Sequence, residues 1–143
     1  MDDYLFFICK SIPEYQIITF FKEQYQLELD SPDCPNEAAK AFLYYSEEDG
    51  DIKFYIHVML PNGMDLKEEP VEVAKNLAMF YRTDVLVELE NPYENREYLL
   101  FNDLGNMYAA DIEAEDEKFL INRIIEAPDI LNKMEQKVSG KVS

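Results

Sequence analysis

Val85-Leu86-Val87-Glu88-Leu89-Glu90, then Asn91-Pro92, then Glu97-Tyr98-Leu99-Leu100-Phe101, then Asn102-Asp103-Leu104-Gly105-Asn106, then Met107-Tyr108-Ala109-Ala110-Asp111-Ile112 is the stretch on which the fold turns. Three short apolar runs are divided by a proline turn and a glycine turn, which predicts a three-stranded antiparallel meander. In the first run Val85, Val87 and Leu89 alternate with Leu86, Glu88 and Glu90. Side chains two apart point the same way on a strand, so Glu88 and Glu90 share a face.

Beyond the meander a helix is expected from about Asp116, carrying Phe119, Leu120, Ile124 and Ile125, with Glu115, Asp116 and Glu117 at its positive end. Pro128 breaks or kinks it before a short continuation through Ile130, Leu131 and Met134, and residues 139–143 fray. Upstream of the meander, Pro70 followed by Val71, Ala74, Leu77, Ala78 and Tyr81 has the helical period and should finish by Arg82. Residues 41–46 and 52–60 read as a hairpin around Glu47-Glu48-Asp49-Gly50-Asp51, with Ile52, Phe54, Ile56, Val58 and Leu60 facing the core. Residues 4–9 form a continuous apolar run, short enough for a buried strand. Ser11-Ile12-Pro13-Glu14 then has capping-box spacing and opens a helix with Ile17, Ile18, Phe21 and Tyr25 on its apolar face, ending near Leu29.

The resulting order is β-α-β-β-α-β-β-β-α: one α+β domain over residues 1–138, a mainly antiparallel sheet with about three helices. A chain of 143 residues, 48% hydrophobic and 13% aromatic, has the material for a real core. Cys9 and Cys34 make no disulfide framework, the acidic N-terminus does not resemble a signal peptide, and no apolar run is long enough to span a bilayer. A cytoplasmic protein without membrane contact is expected.

Thirty acids against thirteen Lys and Arg set the net charge at -17, a field that repels phosphate backbones and draws in basic partners. The excess is local. From Asp84 to Glu117 there are eleven acids and one base, Arg96, whereas from Lys118 onward bases outnumber acids, so the charge belongs to the meander. A carboxylate rim there serves either as a docking surface or as protection of a sheet edge against pairing with another chain. Tyrosine beside carboxylate suits a grip on Arg and Lys, because ring and acid both engage a cation.

Little here can run chemistry. The single histidine, His57, sits in a strand, and a Cys9-His57 dyad competes with the simpler reading of Cys9 as an inert buried thiol. Three metal-ligating residues at 9, 34 and 57 lack zinc spacing. Aligning Gly50 with the EF-hand glycine puts Tyr45 and Ile56 where carboxylates belong. The four glycines stand alone, without a phosphate-binding loop. No catalytic residue, metal or cofactor is assigned.

The segment Leu99-Leu100-Phe101-Asn102-Asp103-Leu104-Gly105-Asn106-Met107-Tyr108-Ala109-Ala110-Asp111 resembles a hairpin of bacterial immunity proteins of the SMI1/KNR4 (SUKH) type. That resemblance implies a small acidic protein that neutralises a toxin, often a basic nuclease, by covering its active site. The expected function is therefore an immunity or antitoxin-like inhibitor docking on a basic protein. Its contacts would be Glu88, Glu90, Tyr93, Glu94, Glu97, Tyr98, Asp103, Glu113 and Glu115, with no direct contact to nucleic acid. The alternatives are a secretion-type chaperone that holds an effector segment on apolar grooves, and a DNA-mimic inhibitor. The sequence leaves the oligomeric state open.

Overall fold

A computed structural model describes residues 2–64, 66–93 and 95–126; within β1, β5 and β8 below, the side chains of residues 2, 90–93 and 123–126 are not described. The elements run β1 (Asp2–Ile8), α1 (Glu14–Tyr25), β2 (Leu29–Asp30), β3 (Ala41–Glu47), β4 (Phe54–Leu60), α2 (Pro70–Tyr81), β5 (Val85–Tyr93), β6 (Arg96–Phe101), β7 (Met107–Glu115) and β8 (Lys118–Glu126). All eight strands join one sheet in the order β2-β3-β4-β1-β5-β6-β7-β8. Among the described strand pairs only β2–β3 is parallel; the isolated bridge between Gly50 and Phe119 is parallel too. β1 lies between β4 and β5 and runs antiparallel to both, so β4-α2-β5 is a split crossover with β1 threaded through it.

Both helices cover one face of the sheet. Ile17, Phe20 and Phe21 of α1 and Val73, Ala74, Leu77 and Ala78 of α2 are buried against Phe6, Ile8, Phe54, Ile56, Val58, Val85, Val87 and Leu99. Each helix ends where a residue turns left-handed, Gln26 at φ 52 and Arg82 at φ 54. On the opposite face a second cluster joins Phe7, Ile52, Leu86, Leu100 and Ala110, with Phe119 and Ile121 packed on it. The central strands are therefore apolar on both sides, which is why β1, the start of β5 and the end of β6 read as unbroken apolar runs.

The second cluster is closed by curvature. Although β8 is the far edge of the sheet, Phe119 reaches the β3–β4 loop and bridges Gly50. Asp51 N donates to the Phe119 carbonyl at 2.8 Å and Phe119 N to the Asp49 carbonyl at 2.9 Å. Ile121 N donates to Asp51 Oδ2 at 2.9 Å. The β7–β8 hairpin thus folds over half of the second face and clasps the opposite wing of the sheet.

The α+β class stands, but the expected third helix does not. Residues 118–126 are a strand, the molecule has two helices among the described residues, and the order becomes β-α-β-β-β-α-β-β-β-β. Asp116 and Glu117, read above as acids at a helix start, both have positive φ (50 and 63) and form the two-residue turn closed by the pair Glu115 and Lys118. Phe119 and Ile121 then alternate in the strand manner. Leu29–Asp30 is an additional short strand, because α1 stops at Tyr25 rather than near Leu29.

Three local expectations also change. α1 begins at Glu14 with Pro13 in the cap position and no side-chain cap, so the Ser11 capping box is not made. Glu14 instead accepts a hydrogen bond from the Ser31 hydroxyl. β5 continues through Asn91 and Pro92 to Tyr93, with a register irregularity between Glu88 and Tyr93 that lets a proline sit in the strand. Ile52 precedes β4 and packs on the second face, apart from Phe54, Ile56, Val58 and Leu60. The kink at Pro128, the continuation beyond it and the fraying tail lie outside the described residues.

Candidate functional site

The second face is an aromatic floor whose middle, Phe7, Leu86 and Leu100, is buried with Phe119 and Ile121 packed on it, while Tyr44, Tyr55, Tyr98 and Tyr108 towards its margins are partly or half exposed. Tyr55 and Phe7 are cross-strand partners, and the row continues through Leu86 and Leu100 to Tyr108. Ring centroids step 6.0 Å from Tyr44 to Tyr55, 5.7 Å from Tyr55 to Phe7 and 5.6 Å from Phe7 to Tyr98, the last pair edge-on at 89°. Of the consecutive tyrosines on β3, Tyr45 turns to the helices, stacks on Phe54 and donates its hydroxyl to the Ile12 carbonyl at 2.7 Å. Tyr44 is left half exposed.

Carboxylates stand on this floor. Glu88 is exposed and directly opposite Tyr98 in the β5–β6 ladder. Burial, and then the fields of Glu88, Glu97 and Asp111, push the Tyr98 phenol above its ordinary value. At the other side Asp3 holds His57, with Nε2 to Oδ2 at 3.2 Å. His57 pairs with Leu5 on β1, and the β1–β5 pairing ends at Phe6 and Val87, next to Glu88.

The expected contact residues are only partly brought together. Glu88 and Tyr98 meet on the second face. Glu97 is exposed on the other side of β6, next to Asp111, whose carboxylate accepts its backbone N–H at 3.0 Å. Glu113 and Glu115 alternate with Ile112 and Ala114, which face Ile121 and Phe119, so both glutamates point away from the second cluster. Glu113 accepts from Asn122 Nδ2 at 2.8 Å. Asp103 is exposed in the β6–β7 turn, at the far end of the strands, where its charge is one cause, after burial, of the raised pKa of Asp84. Glu90 and Tyr93 lie in β5, their side chains outside the described residues, as is Glu94 altogether. The Asp3–His57 pair escaped the sequence reading, because only the β1–β4 register brings those strands together.

The structure does not bring the Cys9–His57 dyad together. Cys9 lies just past β1 and His57 opposite Leu5, four residues or about 13 Å along the strand. The Cys9 thiol is pushed up to about 12, first by burial and then by Asp84 and Asp51. Cys34 is raised as well, again by burial first and then by Glu14. Among the described residues no group of three or more His, Cys, Asp or Glu could hold a metal ion. No described helix is long and apolar enough to cross a membrane.

Burial also lifts two tyrosines on the helix layer to about 12: Tyr25, which donates to Glu68 Oε2 at 3.1 Å, and Tyr81, which donates to the Gln16 carbonyl at 2.9 Å. These groups, with Cys9, keep their protons in the folded state above the pH at which the unfolded chain loses them. Their contribution is complete below about pH 9 and is lost as pH rises towards 12. Urea midpoints should therefore begin to fall above about pH 9, and Tyr81→Phe should flatten that alkaline fall. An unchanged alkaline slope in Tyr81→Phe would exclude its share.

Comparison with protein-family models, curated proteins and solved structures returns no match for this chain.

Proposed function

We propose that this chain is an acidic protein-binding domain, an immunity- or antitoxin-like inhibitor that docks on a basic partner through the exposed margin of its second sheet face around Glu88 and Tyr98. The single observation that supports this most is the pairing of exposed Glu88 with Tyr98 at the end of the Tyr44-Tyr55-Phe7-Tyr98 row. A rigid aromatic floor is a low-entropy anchor, and a carboxylate at its margin can take the guanidinium or ammonium that lies over a ring. The net charge of -17 steers such a partner in from a distance.

The test is binding to the basic product of a neighbouring reading frame, followed by stopped flow. Glu88→Lys should slow association about tenfold at low salt, and the difference should shrink as salt is raised. An unaltered association rate, or no complex with a basic protein, removes the reading.

A second reading, the secretion-type chaperone, draws on a different surface. Tyr15, Met79, Phe80 and Leu104 are large apolar side chains about half exposed or more on the helix layer and the adjoining turn. The two readings separate by light scattering: a stable dimer that hides these side chains favours the chaperone, a monomer the inhibitor.

A further inference from the structure

β3 is paired with its edge strand over only the first two of its seven residues. β2 pairs Leu29 with Ala41 and Asp30 with Phe42 and goes no further. The chain then turns back on itself, Cys34 N donating to the Ser31 carbonyl at 3.2 Å and to the Ser31 hydroxyl at 3.1 Å. Pro32 and Pro35 flank that turn and cannot donate to a ladder. From residue 43 to residue 47, no backbone hydrogen bond among the described residues joins β3 to anything but β4. About 16 Å of strand edge is thus left unpaired by the described residues.

Beside this edge lies a groove of about 490 Å³ lined by Pro32, Pro35, Phe42, Tyr44 and Met59, with Asp30 at its polar margin. Phe42 and Tyr44 are each about half exposed and point to the same face, two residues apart. The surroundings are acidic: from residue 28 to residue 49 there are seven acids and one base, Lys40. Glu47, on the other side of β3, is exposed.

We infer that β3 accepts an extended, basic segment of a partner protein as an added strand. Its main chain pairs with residues 43–47. Alternate apolar side chains enter the groove over Phe42, Tyr44 and Met59, and intervening Lys or Arg residues lie on the opposite face, towards Glu47. Strand addition draws affinity from main-chain hydrogen bonds and specificity from alternate side-chain pockets, and this edge offers both. The inference rests on the reading of this chain as a binder of basic protein, and adds where one segment of that partner lies and in what conformation.

The probe is a short capped peptide of alternating lysine and valine, with a control of the same charge in which a central valine is replaced by proline. Fluorescence anisotropy should show the control binding roughly tenfold or more weakly, since proline removes a ladder donor. Amide exchange in the complex should slow at residues 43–47. The exposed substitution Phe42→Ser, neutral in charge and outside the Tyr44-Tyr55-Phe7-Tyr98 row, should weaken the valine peptide by roughly tenfold or more, as loss of an aromatic anchor does. Equal binding of the proline control, protection elsewhere than β3, or no effect of Phe42→Ser overturns the proposal. If Glu88→Lys abolishes peptide binding while the β3 variant leaves it intact, the segment lies on the Glu88 face. The strand-addition proposal then fails and the basic-partner reading survives. Failure of both the peptide and the basic partner to bind removes the two together.

Discussion

Gly50→Ala should destabilise the protein by about 2 to 5 kcal/mol, far more than a surface loop substitution ordinarily costs. A Cβ at this position would stand 2.4 Å from the Phe119 carbonyl oxygen and 3.0 Å from its nitrogen. Both are backbone atoms, so no rotamer can relieve the overlap. The same two atoms make the clasp, receiving the Asp51 N–H and donating to the Asp49 carbonyl. Accommodating the methyl group therefore breaks at least one of these bonds, at about 0.5 to 1.5 kcal/mol each. At φ +103 an L-residue adds strain of about 1 to 3 kcal/mol. The loss should spread: with Phe119 lifted away, Phe7, Ile52 and Leu86 lose their cover, and amides in β8 should exchange faster.

Gly63→Ala is the matched control. Gly63 also has positive φ (+86) but no described residue lies within 4 Å of its added Cβ, so only the strain remains, about 1 kcal/mol. Urea unfolding of both variants separates the clasp from the strain. Equal midpoint shifts would mean that the contact between the two wings of the sheet contributes nothing.

The difference between β8 and the rest of the fold shows what the sequence could carry. The β3–β4 hairpin, α2 and the meander are legible because their signals are local: alternation in Phe54, Ile56, Val58 and Leu60, proline before Val71, glycine at Gly105. The turn into β8 has no such mark. Two-residue hairpins usually place Asn, Asp or Gly where φ is positive, and here Glu117 takes φ 63. A run of acids followed by Phe119 and Leu120 resembles the start of a helix, while the alternation of Phe119 with Ile121 gains meaning only once Phe7 and Leu86 are known to need a roof. That requirement is tertiary. The candidate site divides in the same way: Glu88 and Tyr98 belong to one local hairpin and were placed together. Glu97, Glu113 and Glu115, though close in sequence to them, depend on strand parity and on the curl of β7, and point elsewhere.

Asp111→Ala should cost about 3 to 5 kcal/mol, because it strands a buried guanidinium. Arg96 is 8% exposed, and its Nη1 lies 3.1 Å from Asp111 Oδ2. Arg96 Nε is buried with no partner among the described residues, so Asp111 is the one described carboxylate that hydrogen-bonds this cation. The Asp111 carboxylate also accepts the Glu97 N–H at 3.0 Å, so truncation frees a backbone donor as well. Asp111→Asn retains an acceptor of similar size and should lose less, about 2 kcal/mol, the difference being the charge. Replacing both partners, Arg96→Leu with Asp111→Leu, removes the desolvated ion and should recover most of the stability lost in Asp111→Ala. The double-mutant cycle in urea measures the coupling directly. A loss below about 1 kcal/mol in Asp111→Ala, or a double variant no more stable than the single one, would show that Arg96 finds its compensation elsewhere. Because Arg96 opens the strand that holds Tyr98 against Glu88, the same substitution should also weaken binding of a basic partner while leaving the β3 edge unaffected.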